Sequence, residues 1–304
     1  MSQLIKKIRT DQGDLQIDYN ALANLPTISN PNLLINGDFR NPVNQRGKTT
    51  YECTGANKVY GIDRWAVSGA GAKMVVNKNY LSVTLPANCD FVQGLEVKYT
   101  SYHAVTISVK FYNDSVVRTA VLANLSSMAE STESFVNLTS SIKVGFFVFG
   151  HGMYVFLRPT SGQTTLNIEW IKLEQGVNAT AFVPRPYAEE LIMCQRYAYV
   201  LAPMDHYTLA YHIFKSDAND INFSVKFPFD MRSTPSLHVL GGGVSCVAND
   251  DFGTVYGSTS ISMDTANACA AKVKATFGVT LWKDCPVEFF AYSSLGLLFD
   301  AEFY

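Results

Sequence analysis

Apolar and polar residues alternate with a period of two along much of the chain, which is the pattern of half-buried β-strands. The segments that show this pattern are rich in Val, Ile, Phe, Tyr and Thr, the residues that favour strands. In the first half of the chain they span residues 73–85, 104–114, 115–125, 143–159 and 165–176. Tight turn sequences such as Asn113–Asp114 separate them. Residues 32–183 are therefore predicted to form one antiparallel β-sandwich of the jelly-roll type.

The same alternation returns in the second half of the chain, in residues 206–216, 220–240, 271–282 and 286–304. Residues 241–260 lie between these segments and are rich in Gly, Ser and Asn, a composition that predicts loops and hairpin turns. Residues 198–304 are therefore predicted to form a second, smaller sandwich at the tip. The expected fold class is all-β, with two jelly-roll-like sandwiches in sequence.

The segment AFVPRPYAEELIMCQRY, at residues 181–197, interrupts the strand pattern. Pro184 and Pro186 lack the N–H that would extend a sheet, so they end the first sandwich and stiffen a link at residues 184–197. Residues 187–196 then follow a helical pattern, but a helix this short is marginal alone. It must pack on the second sandwich or on matching helices of other subunits. The residues predicted to form this junction are Tyr187, Leu191, Cys194 and Arg196.

Within that junction, Cys194 is interpreted as a small apolar contact and Arg196 as the residue that forms a specific bond.

Residues 1–31 differ from the rest of the chain because they are polar and show little periodicity. They cannot build a core, so they are predicted to be an extended attachment arm that lies against another surface.

The overall composition narrows the class of protein. Hydrophobic residues make up 47 % of the chain, which argues against disorder. Charged residues make up only 16 %, which fits either surface hidden in an oligomer or an all-β chain with few Lys and Glu. The net charge is −2 and no basic patch is present, so nucleic acid is not an expected partner.

Membrane and secretory signals are also not visible. The longest apolar runs, such as residues 144–150, are too short to span a bilayer, so no membrane insertion is expected. The N-terminal residues lack the apolar core of a signal peptide, which suggests synthesis in a cytosol. The six cysteines show no zinc-ligand spacing and are interpreted as free thiols in the core.

Two segments resemble catalytic motifs, but neither matches its motif completely. Residues 46–49 resemble the end of a phosphate loop, but Pro42 stands where the pattern needs glycine. Residues 243–247 resemble a nucleophile elbow without its closing glycine. Acidic pairs such as Asp250–Asp251 lie in turn-like sequence, where hydrogen bonding to the backbone explains them. The protein is therefore not expected to be an enzyme.

The aromatic residues are the remaining candidates for chemistry, with 3 Trp, 16 Tyr and 19 Phe. Aromatic faces suit sugars because one face of a sugar ring is apolar while its edge carries hydroxyls. Polar side chains beside such rings can then bond to the hydroxyls. The candidates for glycan binding are Tyr80, Tyr99, Tyr102, His103, His206, Tyr207, Tyr211 and His212.

Several motifs resemble those of bacteriophage tail fibre and receptor-binding proteins. NLLINGDFRNPVNQRG at residues 32–47 and YGIDRWAV at 60–67 resemble the start of a jelly-roll domain in phage tail proteins, similar to bacterial carbohydrate-binding modules. Residues 168–197 resemble that domain's exit, with a Leu-Glu-x-Gly turn and a helix carrying Cys-Gln-Arg-Tyr. DYNALANLPTI at 18–28 resembles a motif before distal tail domains, and residues 227–239 and the ending LLFDAEFY resemble tail-fibre tips.

This resemblance implies a homotrimer in the tail of a phage, prophage or tailocin, made in the host cytoplasm. Residues 1–31 would attach it to a tail or baseplate protein, and it would bind a bacterial surface glycan or protein. Leu25 stands where the motif commonly has Lys and is predicted to face a neighbouring subunit. No other cofactor is implied, but related modules hold a structural calcium ion, and Asp38 and Glu174 match those ligand regions loosely. Backbone hydrogen bonds in a turn explain Asp38 equally well.

Two other functions stay open from the sequence. A tail-borne glycan depolymerase would need two carboxylates across a groove. A purely structural baseplate or fibre component would need no ligand.

Overall fold

The computed structural model describes residues 7–10, 13–16, 29–55, 57–96, 104–123, 128–149, 152–201, 207–210, 219–240, 246–249, 255–278, 288–291 and 296–303. Antiparallel sheets dominate these ranges, so the predicted all-β fold is confirmed. Among them, no helix has the length and apolar character needed to cross a membrane.

Two short strands lie within the predicted N-terminal arm and form a hairpin. Strands β1 (Lys7–Thr10) and β2 (Gly13–Gln16) pair antiparallel, with Lys7 opposite Gln16 and Thr10 opposite Gly13. The two strands form a sheet of their own. Leu25 lies outside the described residues.

Twelve strands build the first sandwich. In chain order they are β3 (Thr50–Glu52), β4 (Lys58–Tyr60), β5 (Ala66–Ser68), β6 (Lys73–Val76), β7 (Leu81–Leu85), β8 (Asp90–Leu95), β9 (Ala104–Phe111), β10 (Val117–Ala123), β11 (Glu133–Asn137), β12 (Ile142–Phe149), β13 (Gly152–Pro159) and β14 (Thr164–Gln175). One sheet has the order β10-β9-β14-β7-β6-β3, and the other has the order β11-β12-β13-β8-β5-β4.

The alternation of apolar and polar residues indicates which side of a strand faces the core. In β12 the apolar residues Ile142, Val144, Phe146 and Val148 are buried between the sheets, while the residues between them face outwards. Strand β12 pairs with β13 along its full length, from Ile142 opposite Pro159 to Phe149 opposite Gly152. A shift of one residue would exchange these two faces, so the burial of one face holds the register.

Trp65 lies near the centre of this first core and is fully buried. Its ring stacks on Phe91 at 4.5 Å between centroids and meets the edge of Phe39 at 5.4 Å. Its indole N–H donates a 2.8 Å hydrogen bond to the carbonyl of Asn36. Trp65 therefore joins the loop before the first strands to the core between the sheets.

We expect Trp65→Ala to lower the free energy of unfolding by about 3–5 kcal/mol, because it leaves a cavity and an unpaired carbonyl. Chemical denaturation monitored by circular dichroism measures this change. Val116→Ala is the control, since Val116 is exposed and its loss should change stability by less than about 0.5 kcal/mol. Equal effects of the two substitutions would contradict this position for Trp65.

The link after β14 leads into one short helix, α1 (Tyr187–Gln195), close to the predicted range. Nine strands follow, which are β15 (Ala198–Leu201), β16 (Tyr207–Ala210), β17 (Asp220–Lys226), β18 (Ser236–Leu240), β19 (Cys246–Asn249), β20 (Val255–Ala266), β21 (Ala270–Phe277), β22 (Glu288–Ala291) and β23 (Gly296–Asp300). They form a sheet of order β15-β23-β18 and another of order β16-β22-β19-β20-β21-β17. A second buried cluster includes Phe223 and Phe277 of the larger sheet and Phe299 of the smaller one.

The prediction of loops and turns for residues 241–260 is wrong in part. Strand β19 and the first half of β20 lie there, and Asn249 pairs with Val255. Strand β20 continues to Ala266 with Ile261 and Met263 packed against the second core. Its Ser and Thr residues suggested a loop, but a strand with one solvent-facing side accommodates them once β21 pairs with it.

Two arginines of the first sandwich are buried against the C-terminal end of the chain. Arg46 donates hydrogen bonds to Asp63 at 3.2 Å and to Asp300 at 3.0 Å. Arg64 donates to the Glu302 carboxylate and to the carbonyl of Gly94, and its backbone N–H donates to Glu302 at 3.0 Å. These buried ion pairs hold the end of β23 against the loops that precede β5.

The ring of Phe303, close to the C-terminus, is also part of this junction. It lies so close to Gly94 that a Cβ there would come within 2.6 Å of the ring, and so only glycine fits. The guanidinium of Arg232, a residue between β17 and β18, lies 4.0 Å from the centroid of the Phe303 ring. The hydroxyl of Tyr60 donates a 2.6 Å bond to the Phe303 carbonyl. The chain end thus packs on the outer face of the β4–β5–β8 part of the sheet.

Asp63 makes this junction sensitive to pH. Burial raises the pKa of Asp63 to about 7, against the opposite effect of Arg46 and the 2.6 Å hydrogen bond from Gln45. A carboxyl whose pKa is raised on folding stabilises the folded state fully below about pH 4, and this contribution is lost as pH rises towards 7.

We therefore expect wild-type unfolding free energy to fall relative to that of Asp63→Asn between pH 4 and pH 7, by up to about 4 kcal/mol. Urea denaturation at several pH values measures the difference. Glu189→Gln, at an exposed position of α1, is the control and should follow the wild type. A constant difference between wild type and Asp63→Asn across this range would contradict the raised pKa.

Candidate functional site

An open cleft of about 320 Å³ lies at one end of the first sandwich. Its lining comes from the end of β9 and the turn that follows, the start of β10, the turn between β11 and β12, and the start of β14. The lining residues are Phe111, Tyr112, Asp114, Arg118, Thr139, Ser141, Thr165, Leu166 and Asn167. We call this the Tyr112 cleft.

Two tyrosine rings stack at the Tyr112 cleft. Tyr80, from the turn between β6 and β7, stacks on Tyr112 with 4.2 Å between the ring centroids and 21° between the planes. Both side chains are half-buried. The backbone holds each ring in place, because the N–H of Tyr112 donates to Asn167 at 2.8 Å and the N–H of Asn77 donates to the Tyr80 carbonyl at 3.0 Å.

The turn after Tyr112 is set by local hydrogen bonds. Asn113 has a positive φ of 60°, which asparagine tolerates well. The carboxylate of Asp114 accepts bonds from the backbone N–H of Val116 at 2.9 Å and from Arg118 at 3.0 Å. These two donors hold the pKa of Asp114 below its usual value, so the group stays ionised at neutral pH.

The rest of the cleft lining is neutral and polar. Thr139 and Ser141 lie 3.2 Å apart through their hydroxyls, and Thr165 is 3.1 Å from the hydroxyl of Thr84 on β7. The Asn167 side chain is exposed. Paired aromatic rings beside hydroxyl, amide and charged groups can hold an apolar face and several hydroxyls at once, which is the chemistry of a sugar ring.

One predicted glycan-binding residue, Tyr80, lies beside this cleft through its stack on Tyr112, but Tyr80 is not among the lining residues. The side chain of Tyr207 is not described, although its backbone lies in β16. The other candidates fall outside the described residues, and they are Tyr99, Tyr102, His103, His206, Tyr211 and His212.

Sequence reasoning missed Tyr112, although a signal for it was present. Tyr112 directly follows a strand and precedes Asn113–Asp114, the turn identified from the sequence. An aromatic residue at such a turn is placed at the end of a sandwich, where loops carry binding residues on a rigid scaffold.

The two predicted calcium ligands do not share a site. Asp38 pairs with Arg40 at 2.7 Å and forms a bridge to Trp170 on β14. Glu174 lies four residues further along β14, which is about 13 Å away. Within the described ranges there is no group of three or more His, Cys, Asp or Glu that could hold a metal ion.

A lysine ammonium lies among oxygen atoms beside Glu174. Lys172 Nζ is 3.2 Å from the Glu174 carboxylate, 2.6 Å from the hydroxyl of Thr180, 2.9 Å from the carbonyl of Ala181 and 3.2 Å from the hydroxyl of Ser29. Glu174 also accepts bonds from the N–H and hydroxyl of Thr180. This buried ion pair fastens both Ser29 and the segment at Thr180–Ala181, just before the link, to the sheet.

The predicted junction residues of α1 occupy different environments. Cys194 is buried, and burial raises the pKa of its thiol well above the usual value, so it packs as an uncharged group. Arg196 forms specific bonds to both sides of the link, with Glu96 at 3.0 Å and the carbonyl of Asp230 at 3.1 Å. Leu191 is half-buried and Tyr187 is exposed.

Comparison with known proteins adds no family assignment. No protein-family model matches the sequence. No curated protein matches it either.

Proposed function

We propose that this protein is a non-catalytic receptor-binding protein that attaches a phage, prophage or tailocin tail to a bacterial surface glycan. The observation that carries the binding role is the Tyr80–Tyr112 stack beside an open cleft lined by hydroxyl and amide groups. The tail context rests on the resemblance of the sequence motifs to tail fibre proteins. The receptor is proposed to be a neutral, hydroxyl-rich glycan, because the one charged pair of the cleft neutralises itself.

The state of Asp114 supports binding without catalysis. Its two hydrogen-bond donors keep it ionised, so it cannot donate a proton to a leaving group as a glycosidase acid must. An ionised carboxylate is, however, a strong acceptor for sugar hydroxyls.

The expected affinity of one such cleft is modest. An open site that holds a single sugar gives millimolar to micromolar dissociation constants. Three copies in a trimer, and several trimers on one particle, would raise the total avidity by orders of magnitude without any new contact. A shallow cleft on a rigid sandwich is therefore sufficient for attachment.

We expect Tyr112→Ala to weaken glycan binding about tenfold, which corresponds to about 1.4 kcal/mol, because the tyrosine ring that lines the cleft is lost. A glycan array with recombinant protein identifies the ligand, and titration calorimetry then measures the dissociation constant. Phe229→Ala is the control, since Phe229 is an exposed ring on the far side of the link.

The same assay decides between the proposed function and the alternatives. Release of new reducing ends from the bound glycan would contradict binding without catalysis. If the array and intact host cells show no binding, the glycan-receptor role is wrong.

The proposed homotrimer has its own test. We expect size-exclusion chromatography with light scattering to give a mass of about three times 33.6 kDa. Tyr187, Ile192 and Val183 are exposed apolar side chains on and before α1, which is where a neighbouring chain would pack. A monomeric mass at micromolar concentration would contradict the trimer.

A further inference from the structure

The side chain of Lys172 ends in a shell of oxygen atoms, on the side of β14 that faces away from the first core. Besides the Thr180 hydroxyl, the Ala181 carbonyl, the Ser29 hydroxyl and the Glu174 carboxylate, the ammonium also lies 3.3 Å from the carbonyl of Thr180. An ammonium has three N–H groups, so it cannot give each of these five oxygens a hydrogen bond of its own. The shell therefore resembles the coordination sphere of a metal cation more than an ordinary ion pair. We call it the Lys172 cage.

The oxygens of the Lys172 cage are of the type that binds calcium. They are one carboxylate, two backbone carbonyls and two hydroxyls, and hard cations such as Ca²⁺ prefer such oxygen ligands. Among the described residues, Glu174 is the one carboxylate that contacts the ammonium. The side chains of Lys172 and Glu174 are 1 % and 0 % exposed, so solvent does not reach these two charges. One tethered positive charge thus neutralises the cage.

The Lys172 cage joins three separate parts of the chain. Glu174 on β14 accepts hydrogen bonds from the N–H of Thr180 at 2.9 Å and from its hydroxyl at 2.5 Å. The N–H of Asn30 donates to the same hydroxyl at 3.0 Å. Next to these contacts, the ring of Phe182 lies flat on Trp170 of β14, with 4.5 Å between the ring centroids. Holding several segments around one positive charge is what a structural metal ion does in a protein.

A buried hydroxyl beside the stem of Lys172 has no partner of its own. Ser108 lies opposite Lys172 in the pairing of β9 with β14 and is 1 % exposed. Its hydroxyl makes no hydrogen bond within the part of the chain that the structure describes. Residues directly opposite each other in a ladder share one face of the sheet, so this hydroxyl borders the space that the lysine stem fills. Loss of the stem would leave a polar space and not an apolar one.

We propose that the Lys172 cage is a calcium-type site whose cation is supplied by the chain itself. The ammonium of Lys172 takes the position of a metal ion, so the contacts of β14 with Ser29 and with Thr180–Ala181 do not depend on dissolved divalent cations. Without the lysine side chain, the remaining oxygens would bind Ca²⁺ with a dissociation constant of about 1 mM, since only one ligand is charged. This inference does not rest on glycan binding.

The proposal also explains why the sequence-based calcium site fails. Glu174 does face a cation, but that cation is an ammonium two residues away in the sequence. Asp38 instead pairs with Arg40 at 2.7 Å and contributes nothing to the cage.

Lys172→Ala distinguishes a cation site from an ordinary ion pair. In EDTA we expect it to lower the melting temperature by about 10 °C, because the buried carboxylate of Glu174 loses its partner. Calcium chloride at about 10 mM should then raise the melting temperature of this variant by about 3 °C. The wild type should melt at the same temperature in EDTA and in calcium. Scanning calorimetry measures these temperatures.

Terbium luminescence gives a readout that does not depend on stability. Tb³⁺ binds at calcium sites and emits when a nearby indole is excited, and Trp170 lies two positions from Lys172 along β14, which is about 7 Å. We expect indole-sensitised emission from Lys172→Ala and none above background from the wild type at this site. Calcium should displace the terbium, and the double variant Lys172→Ala/Glu174→Gln should lose the emission.

Two further variants serve as controls. Lys172→Met has a side chain of similar length without the charge, so it should be destabilised, fill the cage and gain nothing from calcium. Lys78→Ala changes an exposed lysine and should match the wild type in both assays.

Two outcomes would overturn the inference. One is a folded Lys172→Ala that neither gains stability from calcium nor sensitises terbium, which would show that Lys172 and Glu174 form only an ion pair. The other is a Lys172→Ala chain that fails to fold in calcium as well as in EDTA, as judged by circular dichroism. Folding in calcium alone would support the inference.

Discussion

The burial of two arginine side chains against the C-terminal carboxylates is the constraint on which the arrangement of the molecule depends. Removing a guanidinium from water costs several kcal/mol, and this cost is offset only where a carboxylate meets it in good geometry. Arg64 meets that condition with Glu302 and the carbonyl of Gly94. Arg46 meets it with Asp300, and it also bonds to Asp63, whose pKa burial raises to about 7. Any other placement of the chain end would leave these charges buried and unpaired. The ion pairs therefore favour one orientation of the C-terminal strands, β15–β23, on the first sandwich.

This constraint also explains local features that would otherwise be unfavourable. Arg64 has a positive φ of 72°, a conformation that costs free energy for a residue with a side chain. In that conformation both its backbone N–H and its guanidinium reach Glu302. Gly94 has to lack a side chain because Phe303 occupies that space. The end of the chain is thus part of the fold of the first sandwich and not only of the second.

The junction with the C-terminal region and the Tyr112 cleft lie on different parts of the first sandwich. Residues at one end of both sheets line the Tyr112 cleft. The contact with the C-terminal region involves other residues, among them Gly94 and Tyr154, which pack against Phe303. The outer face of the β4–β5–β8 part of the sheet is therefore used for an internal junction.

Period-two alternation, the prolines of the link and the turn at Asn113–Asp114 indicated many of the strands and the position of α1, because these are local properties of backbone geometry. The short strands β3, β4, β5, β8 and β11 lie outside the segments predicted from the sequence. The same reasoning assigned the Ser- and Thr-containing first half of β20 to loops and turns. It forms a strand because it pairs with β21, and a local sequence pattern does not show that pairing. Only the tertiary structure decided the strand order and the sites. Tyr80 meets Tyr112 across 32 positions of sequence, and Arg64 meets Glu302 across 238. Such pairs arise when the whole core forms, so no local pattern in the chain could indicate them.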